Sequence, residues 1–165
     1  MAAHGSSIIV GLGELRTSTL PDDVLVCVGL GSCVALCAYD AEVQVAGMAH
    51  MVLPASSEGR RVGLESKFVD LAIPQLLDEM ERLGALRSRL RLKLTGGARM
   101  INGPADDDRQ RIGERNVDAA NAVLCALGLR VHGDDTGGNR GRTARLYVAS
   151  GKVRISLIGG DSFEL

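Results

Sequence analysis

One stretch of sequence decides the fold: Val24-Leu25-Val26-Cys27-Val28-Gly29-Leu30-Gly31-Ser32-Cys33-Val34-Ala35-Leu36-Cys37-Ala38-Tyr39. Two apolar runs within it, residues 24–28 and 34–39, are typical of buried strands. The small residues between them, at positions 29–32, predict a break in the strand. Cys33 follows this break directly, at a point where a strand begins and backbone donors are still unpaired.

Strands and helices alternate irregularly on either side of this stretch. β-Branched or alternating runs predict strands at residues 7–13, 43–52, 89–94, 130–132, 144–148 and 152–158, the last two forming a hairpin that turns at Ser150-Gly151. Apolar residues at helical spacing predict helices over residues 66–83 and 114–127. Pro74 predicts either a kink in the first helix or its true first turn.

These elements predict an α/β fold, a single-domain layered sandwich of mixed β-sheets flanked by about two or three helices. The chain has 165 residues, of which 45% are hydrophobic, enough to bury a core without disulfides or metals. We expect one domain over residues 1–165, with its core from about residue 7 to about residue 160. The sequence leaves the oligomeric state open.

Charge and hydropathy exclude several classes of protein. The net charge of −1 gives no support for a nucleic-acid surface. No apolar stretch is long enough to span a bilayer, so we expect no direct membrane insertion. The N-terminus lacks the basic and apolar regions of a signal peptide. We therefore expect a cytoplasmic protein whose cysteines are thiols.

Cys33 and His50 are the best candidates for chemistry in the chain. A thiolate is a nucleophile, and a nearby imidazole can take the thiol proton. His50 lies one strand after Cys33, and pairing of adjacent strands would bring the two side chains within reach. Both residues also fit a structural role, because most buried cysteines only pack and a histidine in an apolar strand is often a core residue.

The remaining cysteines and histidines are weaker candidates. Cys37 alternates with Cys33 along one strand face and is expected to pack, and Cys125 is expected to lie in the core as part of the second helix. His4 is near the terminus, and His132 is expected at a surface strand end. The segment 134–140 lacks EF-hand spacing and predicts a turn. We expect no metal site and no cofactor.

Five short motifs occur along the chain: Gly29-Leu30-Gly31-Ser32-Cys33-Val34, Gly47-Met48-Ala49-His50 with Leu53-Pro54, Gly96-Gly97-Ala98, Ile112-Gly113-Glu114-Arg115-Asn116, and Asp135-Thr136-Gly137-Gly138-Asn139-Arg140. In this order and spacing they resemble the CheD family of chemoreceptor glutamine deamidases, over nearly the whole chain. The resemblance implies an enzyme that converts particular glutamines on the cytoplasmic helices of chemotaxis receptors to glutamate and releases ammonia. It also implies a possible partner, a CheC-type phosphatase.

The resemblance further implies a role for three residues. Cys33 falls on the nucleophile of the family and His50 on its general base. The third catalytic residue of the family is a threonine six positions before the nucleophile, and here that position holds Cys27. A thiol is a weaker hydrogen-bonding group than a hydroxyl, so we expect Cys27 to orient the histidine poorly. A second thiol near the nucleophile could also form a redox-sensitive pair.

Two other functions compete with deamidation. In the first, the chain is a non-catalytic adaptor that docks and stimulates a CheC-type phosphatase, and the Cys33 segment is a relic. In the second, it is another cysteine amidohydrolase or a transglutaminase-like acyl transferase. Thiol reactivity separates the adaptor from an enzyme, and incorporation of a primary amine into the substrate separates the acyl transferase.

Overall fold

The computed structural model describes residues 5–58, 62–100 and 111–165. These residues form ten strands and two α-helices. The strands are β1 Ser7–Ile9, β2 Leu15–Ser18, β3 Val24–Leu30, β4 Val34–Asp40, β5 Val45–Met51, β6 Arg91–Gly96, β7 Val131–Thr136, β8 Arg142–Tyr147, β9 Val153–Leu157 and β10 Ser162–Glu164. The helices are α1 Val69–Arg82 and α2 Ile112–Ala126.

The strands form two mixed five-stranded sheets. The first sheet has the order β1-β3-β8-β9-β10, in which β1 pairs with β3 in parallel and the other pairs are antiparallel. The second has the order β2-β5-β4-β6-β7, in which only β6 and β7 pair in parallel among the described strands. The predicted α/β sandwich with mixed sheets is therefore confirmed, with two helices.

The two apolar clusters show that the molecule has three layers. One cluster lies between the sheets and joins residues of β3, β8 and β9 to residues of β4 and β5. The other lies between the second sheet and the two helices. Every residue of β4 and β5 is buried, because both faces of these central strands are covered.

The first helix buries the face that its apolar spacing predicts. Ile73, Leu76, Leu77 and Met80 are fully buried, whereas Leu83 is 44% exposed because the helix ends at Arg82. The helix begins at Val69 rather than near residue 66, after a short 3₁₀ turn over Glu65–Lys67. Pro74 is the sixth residue of α1, so the prediction that it marks the first turn is wrong.

The prediction that Cys125 lies in the core is also wrong, since its side chain is exposed. Successive helical residues are turned by about 100°, so the burial of Leu124 turns Cys125 away from the core. Leu127 is also 37% exposed, just beyond the end of α2.

Several strands differ from the sequence expectation. The hairpin of β8 and β9 is confirmed, and Cys37 packs between the sheets as predicted. The predicted strand at 89–94 begins only at Arg91, because residues 87–89 form a 3₁₀ turn. Two short edge strands, β2 and β10, were not predicted, since polar residues interrupt their apolar pattern. In the described residues no helix is long and apolar enough to cross a membrane.

Candidate active site

The pairing of β4 with β5 brings Cys33 and His50 together on one face of the second sheet. In the antiparallel register Ala35 lies opposite His50. Cys33 comes two residues before Ala35 and so points to the same face. Diagonal neighbours of this kind lie roughly 7–8 Å apart between Cα atoms, within reach of long or aromatic side chains. The expectation that adjacent strands bring the two residues within reach is consistent with this register.

The shared face is turned toward the first sheet, and three cysteines gather there. Cys27 and Cys37 are buried, whereas Cys33 is only partly buried at the edge of the same cluster. The sulfur of Cys33 is therefore the most accessible of the three to a substrate. Burial raises the pKa of the Cys27 thiol well above 9.0, and charge on Cys37 and Cys33 raises it further. Cys27 and the candidate nucleophile thus belong to the same apolar cluster between the sheets.

The turn before Cys33 is held by the Gly96-Gly97-Ala98 motif. The backbone N–H of Gly97 donates to the Cys33 carbonyl at 2.8 Å, and that of Ala98 donates to the Gly31 carbonyl at 2.8 Å. A Cβ atom at Gly96 would lie 2.2 Å from the Cys33 carbonyl oxygen, and Gly96 has φ +106°. Only glycine permits this approach, so the motif supports the nucleophile's backbone.

The imidazole of His50 is buried, with 2% of the residue exposed. Its Nδ1 lies 3.0 Å from the Val10 carbonyl oxygen. A carbonyl only accepts, so Nδ1 carries the proton of the neutral ring, and Nε2 holds a free lone pair. Nε2 is buried and has no hydrogen-bond partner among the described residues. Val10 carries no signal in the sequence, because any residue can supply a carbonyl.

Burial keeps both groups uncharged in the resting state. It lowers the pKa of His50 below 6.5, against the opposing effects of the Val10 hydrogen bond and the charge of Glu14. It raises the pKa of the Cys33 thiol, against a lowering hydrogen bond from its own backbone N–H. Each group therefore favours its uncharged form, and no hydrogen bond joins the Cys33 sulfur to Nε2 of His50 in this structure.

A further residue, Asn116, joins the two strands of the site. It lies on α2 and is completely buried. Its Nδ2 donates to the Ser32 carbonyl at 2.9 Å and to the Val52 carbonyl at 3.0 Å. In the sequence Asn116 belongs to one of the five short motifs, but nothing in that pattern predicts a role for it.

The described residues contain no cluster of His, Cys, Asp and Glu side chains that could hold a metal ion. The turn predicted over 134–140 is confirmed only for its second half, because β7 extends to Thr136. Asp135 is neutralised there by Arg142 at 2.7 Å. His132 accepts a hydrogen bond from the Leu92 backbone N–H at 3.1 Å, which joins β7 to β6. His4 lies outside the described residues.

Comparison with known proteins identifies the family. The family model described as CheD chemotactic sensory transduction matches residues 51–157, well over half of the chain. The chain belongs to the CheD family. Within that family, a protein of Symbiobacterium thermophilum named "Probable chemoreceptor glutamine deamidase CheD" is 43% identical over 157 residues, which are 94% of this chain and 95% of that protein.

Other CheD relatives match over a similar length. The protein of the same name from Desulforamulus reducens is 39% identical and covers 96% of this chain and 95% of its own length. That of Clostridium novyi is 40% identical, with 92% and 93% covered. The match to the CheD family model starts at Met51, directly after His50, so it does not include Cys33 or His50. The relatives, by contrast, align with more than nine-tenths of the chain.

Proposed function

We propose that this protein is a chemoreceptor glutamine deamidase in which Cys33 is the nucleophile and His50 the general base. The observation that carries the proposal is the β4–β5 register, which sets a partly exposed thiol diagonally across from a buried neutral imidazole. Membership of the CheD family supplies the reaction, hydrolysis of a glutamine side-chain amide in chemotaxis. No cofactor takes part in the proposed mechanism.

In the first half of the reaction, the Cys33 sulfur attacks the carboxamide carbon and its proton passes to Nε2 of His50. Backbone N–H groups of the Gly31-Ser32-Cys33 turn stabilise the oxyanion, each worth about 3 kcal/mol. The C–N bond then breaks, His50 returns its proton to the leaving nitrogen, and ammonia departs. A thioester on Cys33 remains.

In the second half, water attacks the thioester and gives its proton to Nε2 of His50. The C–S bond breaks, and His50 returns the proton to the Cys33 sulfur. The product is a glutamic acid side chain, which ionises to glutamate in solution. The enzyme returns to the thiol and neutral imidazole with which it began.

We propose Cys27 as the third member of the site. It is fully buried on β3, near Cys33, at the position of the family's threonine. Because the Val10 carbonyl already orients the imidazole through Nδ1, the contribution of Cys27 is to pack in the apolar cluster that Cys33 borders.

The proposed substrates are glutamines on the cytoplasmic helices of methyl-accepting chemotaxis receptors. The proposed location of the protein is therefore the cytoplasm. A half-buried sulfur at the edge of the sandwich suits a side chain presented from the surface of a folded helix. A CheC-type phosphatase is a second proposed partner, in line with the family resemblance.

The test is incubation with purified receptor cytoplasmic fragments, followed by mass spectrometry of the glutamine-containing peptides. We expect conversion of particular glutamines, each with a mass increase of about 1 Da and release of one ammonia, and we expect Cys33→Ala to abolish it. Cys125→Ala is the matched control, because Cys125 is exposed and outside the site. Unchanged glutamines with the folded wild-type protein would refute the proposal.

A further inference from the structure

The Asn116 side chain lies where the β4–β5 ladder ends. The last paired residues of that ladder are Val34 and Met51. Ser32 and Val52 lie just beyond this pair, on the two chains as they leave the sheet. The amide of Asn116 donates one hydrogen bond to the carbonyl of each, at 2.9 and 3.0 Å. A side chain of α2 thus continues the connection between the strands after their own hydrogen bonds end.

The two carbonyls that Asn116 binds are next to the reacting residues. Ser32 directly precedes Cys33, and Val52 follows His50 by two residues. A shift of either carbonyl would therefore change the separation between the sulfur and Nε2. Proton transfer needs these atoms at hydrogen-bond distance, and a misplacement of about 1 Å can cost a factor of 100 in rate.

The hydrogen bonding of Asn116 is not what stability alone would favour. Both N–H donors of its amide are used, whereas Oδ1 is buried with no partner among the described residues. A buried acceptor without a partner is unfavourable for folding. Neither aspartate nor a hydrophobic residue could donate to the two carbonyls, so the position requires an amide despite this cost.

The start of α2 is fixed against the loop that supports Cys33. A Cβ atom at Gly113 would lie 2.6 Å from the Gly97 carbonyl oxygen and 2.7 Å from that of Ala98. The helix backbone is therefore in close contact with the same loop that donates to Cys33 and Gly31. Asn116 follows Gly113 by three residues, on the same face of the helix. This contact sets the depth at which the Asn116 amide reaches the two strands.

We propose that Asn116 is a positioning residue, whose amide sets the distance between Cys33 and His50 by holding the carbonyls of Ser32 and Val52. The inference rests on the proposed function of the Cys33–His50 pair. In this role Asn116 acts through the two carbonyls, to which both of its N–H donors are already committed.

The experiment measures alkylation of Cys33 by iodoacetamide as a function of pH, together with kcat and KM for a receptor fragment. Mass spectrometry separates the Cys33 peptide from the Cys125 peptide, so the exposed Cys125 serves as a reference thiol in the same molecule. In the wild type we expect the alkylation rate of Cys33 to rise with pH through an inflection. We expect His50→Ala to remove that inflection.

For Asn116→Asp and Asn116→Ala we expect this inflection to be lost. We also expect kcat to fall about 10- to 100-fold with KM within twofold of wild type. Ala120→Gly is the control for stability: it weakens the same buried helix without contacting either carbonyl. In Ala120→Gly the pH inflection of Cys33 alkylation and kcat should match those of the wild type. All variants are compared at temperatures at which circular dichroism shows them to be folded.

The outcomes separate the two proposals. If wild-type Cys33 reacts like Cys125 and His50→Ala has no effect, the proposed Cys33–His50 pair fails. If the wild type shows the inflection and a folded Asn116 variant keeps both the inflection and kcat, the positioning role is overturned. It is also overturned if Ala120→Gly loses as much kcat as the Asn116 variants, or if neither Asn116 variant folds, because Asn116 then serves stability.

Discussion

At the scale of single residues, the environment of His50 defines how the site can work. Its ring is buried, its Nδ1 is bound to the Val10 carbonyl, and its Nε2 is left as the acceptor. An ionised cysteine–histidine pair would need solvation or further charge in this apolar setting. The neutral pair avoids that cost, and charge forms only while the proton is in transfer.

The buried imidazole predicts the pH dependence of deamidation. Burial lowers the pKa of His50 below 6.5, so the base form persists to lower pH than in an ordinary histidine. We expect kcat/KM to rise with pH through an inflection below 6.5 and to stay level up to pH 8. Initial rates of ammonia release across this range test the expectation. An inflection above pH 7 would show that the imidazole is stabilised as a cation.

Replacement of Cys27 by the family's residue is a second prediction at this scale. Cys27 is completely buried in the cluster that Cys33 borders, and the imidazole already has a partner in Val10. A hydroxyl at this position is a stronger hydrogen-bonding group than a thiol, so Cys27→Thr should preserve or raise kcat.

The measurement for Cys27→Thr is kcat on a receptor fragment, with Cys37→Thr as the control. Cys37 is equally buried in the same cluster, and it lies two residues from Ala35 on the side away from Cys33. A large loss of activity for Cys27→Thr in a folded protein would give Cys27 a role of its own that a hydroxyl cannot replace.

At the scale of elements, the site depends on one helix end and two glycine-containing loops. The loop at 96–98 binds the Cys33 turn through backbone hydrogen bonds, and the start of α2 packs on that loop. The loop after β7 joins them, since the Arg99 N–H donates to the Gly138 carbonyl at 2.8 Å. The family motifs that seemed separate in sequence therefore meet around the nucleophile.

Gly113→Ala tests this contact. Replacing glycine by alanine inside a helix normally stabilises a protein by up to about 1 kcal/mol. Here the new methyl group would lie 2.6 and 2.7 Å from two backbone oxygens, so the helix must move. We expect a net loss of about 1–3 kcal/mol in the free energy of unfolding, as for other overpacked sites, and reduced deamidation.

Urea unfolding and the receptor assay together measure the effect of Gly113→Ala. Asp118→Ala, at an exposed position of the same helix, is the control, and we expect it to leave both stability and activity near wild type. If Gly113→Ala stabilises the protein and leaves its activity intact, the close contact does not constrain the site.

At the scale of the whole molecule, a buried carboxylate joins three separate segments around β3. Asp23 accepts hydrogen bonds from the Ser18 hydroxyl at 2.6 Å, the Ser6 hydroxyl at 3.0 Å and the Ser6 N–H at 3.1 Å. Ser18 ends β2 of the second sheet, whereas Ser6 precedes β1 of the first. The carboxylate thus connects the two sheets at one end of the sandwich.

These hydrogen bonds predict part of the acid sensitivity of the fold. They lower the pKa of Asp23 below 3.8, so its stabilising effect is present above that value and is lost as pH falls through the lowered pKa. We expect wild type to exceed Asp23→Asn in free energy of unfolding at pH 6, with the difference shrinking below pH 3.8. Urea unfolding at several pH values measures this difference, and Asp22→Asn is the control. A pH-independent difference would contradict the prediction.

The sequence by itself determined the elements whose periodicity is strong and local. The strands at 24–28 and 34–39, the apolar face of α1 and the hairpin of β8 and β9 all follow from alternation or helical spacing. The first of these strands differs in detail, because Val28 is 57% exposed and β3 continues to Leu30 through part of the predicted break. The position of Cys33 after a small-residue break and of His50 one strand later was also readable, and the motif resemblance gave the family. Cys125 shows the limit of prediction from sequence. Each residue of a helix is turned by about 100° from the one before it, so the residue next to a buried leucine can face solvent.

The tertiary structure alone decided how these parts form a site. Strand register set Cys33 diagonal to His50, since a shift of one residue would turn every side chain of the strand to the other face. The Val10 carbonyl that fixes the imidazole and the Asn116 amide that joins the two strands are 40 and 66 residues from His50. Backbone carbonyls and buried amides leave no periodic signal, because their partners are chosen by the packing of distant segments.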